Sequence, residues 1–201
     1  AEIPEWVTKV VAAGSEEEIR TSVGKPDGYR VWAIQSRGED LDALKILTEN
    51  FDIQAEVAKS ISQNIAQAAK RHQETAGATS SASVKEQTAA VETLATVNVT
   101  LNGLETVTRY WSKAYRAADK KGKNILPGEN PNGTYMYIVV MGMKADVFEK
   151  QLKAAMANLE GNTSQSPFLR ELSSLVLADL CKPQDTAMTA SITGNLAISE
   201  E

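Results

Sequence analysis

The feature that most constrains this chain is a stretch, residues 41–72, whose apolar residues recur every three or four positions. This spacing places them on one side of a single α-helix. With neither Pro nor Gly inside it, the stretch predicts a rod of roughly 30 residues, about 45 Å long. Such a rod needs a broad apolar surface to pack against. Its stripe comprises Leu44, Leu47, Phe51, Ala55, Ala58, Ile61, Ile65 and Ala68.

Three other segments predict β-strands, because β-branched and aromatic residues cluster in them. They are residues 29–34, 104–116 and 134–143. The last is apolar on both faces, so we expect it either in the centre of a sheet covered on both sides, or with one face in a subunit interface. Asp40 precedes the rod and predicts its N-cap.

The remaining segments predict further helices and two weakly patterned regions. Apolar spacing predicts helices over residues 145–159 and 167–181, the second with Ser166 as its N-cap. Residues 85–102 favour a helix that ends near Gly103, although part of the segment alternates like a strand. Residues 73–84 are rich in small polar residues and predict a mobile linker. The tail from Ile192 fits either a short strand or a disordered end.

Together these elements predict an α+β fold: a small antiparallel sheet packed on one face against the long helix, with extra C-terminal helices. We assign residues 1–160 to this domain and residues 161–201 to a docking or oligomerisation extension. Because a small sheet has exposed edge strands, we expect a homo-oligomer. The expected oligomer contacts are Tyr135, Tyr137, Val139, Phe168, Leu172 and Val176.

Composition excludes several classes of function. The net charge is −5, which argues against nucleic acid as a partner, since such domains are usually basic. The longest apolar run is far shorter than the roughly 20 residues that span a bilayer. The single Cys181 cannot form an intramolecular disulfide, and His72 has no second His or Cys near it at metal-ligand spacing.

We find no pattern typical of an enzyme. Glu16, Glu17 and Glu18 are consecutive, so a solvated run of charges is favoured over a catalytic pair. The glycines lack the spacing of a phosphate-binding loop, and no serine lies in a nucleophile elbow. The sequence therefore predicts no catalytic residue, no cofactor and no metal site.

Basic and aromatic residues alternate between residues 109 and 123. Such a surface could bind an anionic glycan or lipid headgroups, although a solvated hairpin with its aromatic rings packed inward has the same pattern. The candidate ligand or partner residues are Arg109, Trp111, Lys113, Tyr115, Arg116, Lys120, Lys121 and Lys123.

The order of these signals resembles a bacterial family, the outer-membrane lipoproteins that include the twenty-kilodalton Lpp lipoprotein and the flagellar protein FlgP. The matching residues are Pro4, Glu5, Trp6 and Val7 near the start, the strand before an Ala-rich helix, and later Leu101, Asn102, Gly103, Leu104 and Trp111, followed by the Tyr-rich strand. The chain departs from the family pattern in three ways: it has no N-terminal lipid-acceptor Cys, a long segment over residues 119–133, and no counterpart from Asn162 onward.

The resemblance implies a non-enzymatic structural or interaction protein of the bacterial cell envelope. Such a protein would be secreted with a signal peptide and lie in the periplasm or at the outer membrane. It would self-assemble or dock onto an outer-membrane or flagellar-associated assembly, with other envelope proteins as partners. We also expect peripheral membrane association through a lipid anchor preceding Ala1. The alternative is a binding module for an anionic glycan or lipid that uses residues 109–123.

Overall fold

The structure is a computed structural model that describes residues 2–38, 40–49, 52–114, 134–160 and 166–194. Within these ranges, helices and strands mix along the chain, which confirms the predicted α+β class. The elements are α1 (Glu5–Val11), α2 (Glu16–Ser22), β1 (Tyr29–Gly38), α3 (Leu41–Glu49), α4 (Asp52–Thr79), α5 (Val84–Ala95), β2 (Glu105–Ala114), β3 (Thr134–Lys144), α6 (Ala145–Glu160), α7 (Pro167–Leu180) and β4 (Met188–Gly194).

The described strands form one sheet in the order β2-β3-β1-β4. β3 pairs antiparallel with both β1 and β2, as the predicted small antiparallel sheet requires. β4 lies parallel to β1 on its other side, so the start of the predicted tail, at Ile192, belongs to a strand, while the rest of the tail, residues 195–201, lies outside the described part of the chain. Among the described strands, β1 and β3 are therefore central, and β2 and β4 are the edges.

The larger core lies between one face of the sheet and helices α3 to α7. Trp32 and Ile34 of β1 and Tyr137 and Val139 of β3 supply the sheet side of this core. The first two turns of α4 differ from the predicted stripe: Ala55 is exposed and Ala58 only half-buried, whereas the larger Ile53 and Val57 point into the core. The buried stripe is Ile53, Val57, Ile61, Ile65, Ala68, Ala69 and Ala76.

The opposite face of the sheet carries a second, smaller core, so the prediction that helices cover only one face is wrong. Helices α1 and α2 pack there through residues that join the alternate side chains of β1 and β3. Because β3 is covered on both sides, its two apolar faces need no subunit interface. The residues of this core are Trp6, Val7, Val10, Ile19, Val31, Ala33, Ile138, Val140 and Ala187.

Two helices, α3 and α4, occupy the segment for which the sequence predicts one rod. Residues 50–51, between the two helices, lie outside the described part of the chain. α3 contacts strands β1 and β3, whereas α4 contacts α5 and α7. α4 continues to Thr79, so the predicted mobile linker is wrong for most of its length. Small side chains such as Ala76 let α5 approach α4 closely. Gln87 of α5 connects the two helices: its Nε2 donates to the Ala82 carbonyl at 3.1 Å and to the Gly77 carbonyl of α4 at 3.4 Å.

Helix ends follow local capping chemistry. Asp40 Oδ1 accepts from the Asp42 and Ala43 amides at 2.9 and 3.2 Å, which confirms its predicted capping role. Ser166 Oγ accepts from the Leu169 amide at 3.1 Å, as predicted for α7. The predicted helix over residues 85–102 ends early, at Ala95. Its second part is non-helical, and alternate residues there are buried: Val97, Val99 and Leu101.

Candidate interaction surface

Strand β2 carries the candidate surface, because it is an edge of the sheet. Among the described strands it pairs with β3 alone, so its outer backbone faces away from the sheet. The β2–β3 register shifts between Thr106 and Thr108. This irregularity is typical of a β-bulge, which changes the face to which neighbouring side chains point. Val107 consequently packs with the smaller core, not on the face of Arg109 as the alternation of residue types predicts.

An exposed aromatic residue, Trp111, stands at the centre of the surface with 49% of its area accessible. Its ring lies 6.1 Å from the ring of Tyr135, its diagonal neighbour on β3. Two lysines approach these rings: Lys45 Nζ of α3 is 6.0 Å from the Trp111 centroid, and Lys113 Nζ is 5.5 Å from that of Tyr135. Arg109 is exposed on the same face of β2. We call these five residues the Trp111 patch.

The Trp111 patch joins positive charge to aromatic faces that solvent can reach. A cation near an aromatic ring is attracted by the ring's electron density, by about 0.5–1 kcal/mol at exposed sites. The patch can therefore bind an anionic group through Lys45 or Lys113, and a flat apolar group on Trp111.

The structure brings together part of the predicted basic and aromatic stretch. Arg109, Trp111 and Lys113 share one face of β2, as the alternation predicts. Sequence reasoning missed Lys45, because it lies on another element, and it assigned Tyr135 to a different surface. The other predicted ligand residues lie outside the described part of the chain: Tyr115, Arg116, Lys120, Lys121 and Lys123.

The predicted oligomer contacts are placed mostly inside this chain. Tyr135 alone among them is half-exposed, in the Trp111 patch. The other five are buried in the larger core, where the chain's own helices and strands cover them: Tyr137, Val139, Phe168, Leu172 and Val176. Intramolecular packing accounts for their apolar character, so in this conformation they form no surface for a second molecule. Helix α7 is likewise packed against α4 and α5.

A buried ion pair contradicts the prediction that Glu16 belongs to a solvated run of charges. Glu16 is 2% and Arg30 3% exposed, with Arg30 Nε 2.6 Å from Glu16 Oε1. Arg30 also donates to the Leu180 and Lys182 carbonyls at 2.8 and 3.0 Å. Glu16 accepts from the Val31 and Gln184 amides at 3.2 and 2.7 Å. The available signal was Arg30 itself, the one charged residue in the predicted strand over residues 29–34.

Aromatic rings complete the surroundings of Arg30. Its guanidinium carbon lies 4.7 Å from the Phe148 ring centroid and 5.9 Å from that of Trp32. Glu16, Arg30, Trp32 and Phe148 are called the Arg30 cluster below. Because its charges are paired within the chain, this cluster ties α2, β1 and the segment after α7 together and offers no free group to a ligand.

Two other titratable groups in the described part of the chain, the His72–Asp179 pair and Cys181, have defined surroundings. His72 contacts Asp179 Oδ2 at 2.5 Å and is largely covered, so the prediction of a solvated histidine is wrong. Burial alone would raise the pKa of Asp179, but hydrogen bonds from His72 and Arg71 hold that pKa below its ordinary value. Burial raises the pKa of the half-buried Cys181 thiol.

Neither a metal-binding cluster nor a membrane-spanning helix is found among the described residues. No cluster of three or more His, Cys, Asp or Glu side chains in these ranges is arranged to hold a metal ion. Among the described helices, none combines the length and the apolar character needed to cross a membrane.

No protein-family model, curated protein or solved structure matches this chain.

Proposed function

We propose that this chain is a non-enzymatic structural or interaction protein of the bacterial cell envelope. It assembles with copies of itself, or docks onto an outer-membrane or flagellar-associated assembly, through the edge of the sheet formed by β2. The observation that supports this most is the large exposed aromatic side chain of Trp111 on that edge strand.

Because helices cover both faces of the central strands, the β2 edge is the favoured surface for contact with another molecule. Both faces of the central strands are occupied by the chain's own helices, which bury the side chains of β1 and β3. Among the described strands β2 pairs with β3 alone, and edge strands are a common site of pairing with another chain. Few large apolar residues are exposed in the described ranges, and Trp111 is the one on a strand.

The envelope location rests on the sequence resemblance. Its residues near the start, Pro4, Glu5, Trp6 and Val7, lie at the beginning of α1, where Trp6 and Val7 pack against the sheet. Trp6 and Val7 act as core residues in this fold, whereas Glu5 is exposed.

Light scattering over a concentration series tests the self-assembly. We expect a mass above that of the 21.7 kDa chain at high concentration, and a smaller shift for the Trp111→Lys variant. A control, Ile46→Lys, changes another exposed apolar residue that lies on α3. A strict monomer at all concentrations, together with no partner recovered from envelope extracts, would contradict the proposal.

A second candidate function is binding of an anionic glycan or lipid, and the Trp111 patch favours it specifically. Lysines from two separate elements, α3 and β2, stand beside its two aromatic rings. Positive charge with accessible rings suits a ligand that has an anionic group and a flat apolar face.

Tryptophan fluorescence tests this second candidate. Trp6 and Trp32 are buried and Trp111 is exposed, so a ligand on the patch changes the emission of Trp111 selectively. We expect an emission shift on titration with polygalacturonate or with vesicles containing phosphatidylglycerol at low salt, and none for Trp111→Phe. No response of the unchanged chain to either probe would exclude the candidate.

A further inference from the structure

We infer that Asn102 is a self-modification site, where the chain converts its own asparagine to aspartate or isoaspartate, and that Gln151 controls the rate. The site lies in the non-helical segment between α5 and β2. There Asn102 and Gly103 are exposed between two buried residues, Leu101 and Leu104. The reaction is intramolecular and needs only water, so the inference is independent of the proposed function.

The reaction joins two neighbouring residues. The Gly103 backbone nitrogen attacks Cγ of Asn102, the Cγ–Nδ2 bond breaks, and Nδ2 leaves as ammonia with the proton of the Gly103 amide. Water then opens the succinimide ring that has formed. Opening at Cγ gives aspartate. Opening at the backbone carbonyl gives isoaspartate, which lengthens the main chain by a carbon atom just before β2.

The following residue favours reaction at Asn102 over the neighbouring Asn98. Gly103 has no side chain to shield its nitrogen, and its φ of 92° is a conformation that suits glycine. No described atom lies within 4 Å of the place that a Gly103 Cβ would occupy, so water reaches the site. Asn98 is exposed in the same segment, but it precedes Val99, whose branched side chain stands beside the attacking nitrogen. Asn98 is therefore an internal control.

Gln151 of α6 holds the backbone of Asn102 on both sides of its Cα atom. Its Oε1 accepts from the Asn102 amide at 2.9 Å, and its Nε2 donates to the Asn102 carbonyl at 2.7 Å. These two bonds use the donor and the acceptor of the Gln151 amide together. We call this pair of bonds the Gln151 clamp.

The Gln151 clamp opposes the rotation that the reaction requires. Buried Val97, Val99 and Leu101 alternate with exposed residues, which is typical of an extended backbone. In an extended backbone the following nitrogen lies away from the side chain. Attack on Asn102 therefore requires rotation about its Cα–C bond, and this rotation moves the carbonyl oxygen that Gln151 binds. Gln151 is thus a positioning residue that slows the modification.

Peptide mapping by mass spectrometry tests both parts of the inference. The unchanged chain, Gln151→Ala and Gln151→Glu are incubated in the folded state at mildly alkaline pH. The glutamate keeps the shape and the acceptor of the side chain but cannot donate to the carbonyl. We expect Asn102 to convert faster than Asn98 in every chain. In both variants it should convert roughly three- to tenfold faster than in the unchanged chain, as the loss of one or two hydrogen bonds predicts.

Two controls accompany the mapping. Lys150→Ala changes an exposed neighbour on α6 and should leave the rate at Asn102 unchanged. In urea the Gln151 clamp is absent, so all of these chains should convert at one rate at Asn102, faster than the folded unchanged chain. Mapping also separates Asn102 from Asn132, which precedes Gly133 outside the described part of the chain.

The outcomes decide the site and its control separately. Conversion at Asn102 that is no faster than at Asn98 in urea would overturn the site. Equal rates at Asn102 in the folded unchanged chain and in both Gln151 variants would overturn control by Gln151. A faster rate that follows only the unfolded fraction of each variant, which a urea denaturation series measures, would overturn that control as well. None of these outcomes affects the proposed function.

Discussion

Two groups of cations and aromatic rings lie at opposite ends of the same sheet. In the Arg30 cluster, near the start of β1, the guanidinium is buried between a carboxylate, two carbonyls and two rings. In the Trp111 patch, at the far end of β2, the described lysines meet rings at a surface that solvent reaches. The difference teaches that the same residue types stabilise the fold when they are covered and offer a contact when they are not.

The largest expected effect comes from breaking the buried ion pair. Glu16→Ala leaves Arg30 without its carboxylate and the Val31 and Gln184 amides without their acceptor. We expect a loss of about 3–5 kcal/mol in the free energy of unfolding, measured by urea denaturation. Glu17→Ala is the matched control on the exposed side of α2, with a change within about 0.5 kcal/mol. Equal losses of unfolding free energy for Glu16→Ala and Glu17→Ala would contradict the expectation that the buried carboxylate contributes more to stability than the exposed one.

Removing one ring from the Arg30 cluster should have a smaller effect. Phe148→Leu keeps an apolar side chain in the core but takes away the ring 4.7 Å from the guanidinium. We expect a loss of about 1–2 kcal/mol, because the change combines imperfect repacking with a lost cation–ring contact. Denaturation of Phe148→Leu in the Arg30→Met background isolates the contact. An undiminished effect there would mean that the ring contributes packing alone.

Asp179 is an intermediate case, since its carboxylate is partly exposed and bonds to His72 and Arg71 across α4 and α7. Its lowered pKa means that the folded state holds the charged form more strongly than the unfolded chain does. The stabilisation from the Asp179 carboxylate is fully present when the pH is above the ordinary carboxyl pKa. It is lost as the pH falls through the lowered pKa that Asp179 has in the folded state. We expect Asp179→Asn to cost under about 1 kcal/mol at neutral pH.

The control for Asp179 is the pH dependence itself. We expect the stability difference between the unchanged chain and Asp179→Asn, followed by thermal denaturation, to shrink as pH falls from neutral to acid. A difference that stays constant into strong acid would mean that the carboxylate charge contributes nothing.

The smallest expected effect on stability belongs to the exposed patch. Lys45→Ala removes a cation 6.0 Å from the Trp111 ring, at a place where water replaces it. We expect a change within about 0.5 kcal/mol in urea denaturation, far below that of Glu16→Ala. A loss comparable to that of the Arg30 cluster would make the patch a structural element and weaken its role in binding.

Periodicity predicts most of the helices and strands, because burial on one side of an element leaves a regular trace in the sequence. The stripe through Ile61 and Ile65, the alternation around Tyr137 and Val139, and the cap at Asp40 all appear in the structure as expected. The helix through residues 73–79 was missed, since its small residues resemble a linker until α5 is packed against them.

The candidate site was predicted only in part, because its members come from different elements. Arg109, Trp111 and Lys113 are neighbours along one strand, and their spacing alone places them together. Lys45, on α3, lies close to the Trp111 ring, and Glu16, on α2, pairs with Arg30 on β1. Both contacts depend on how the helices pack against the sheet. Single-sequence patterns carry no information about such encounters.

The position of β4 beside β1 has a consequence for how the protein is made. β1 contains residues 29–38, while its parallel partner contains residues 188–194. A nascent chain leaving the ribosome therefore exposes one flank of β1 until β4 has been synthesised. A product truncated before Met188 would keep that flank open, ready to join another polypeptide.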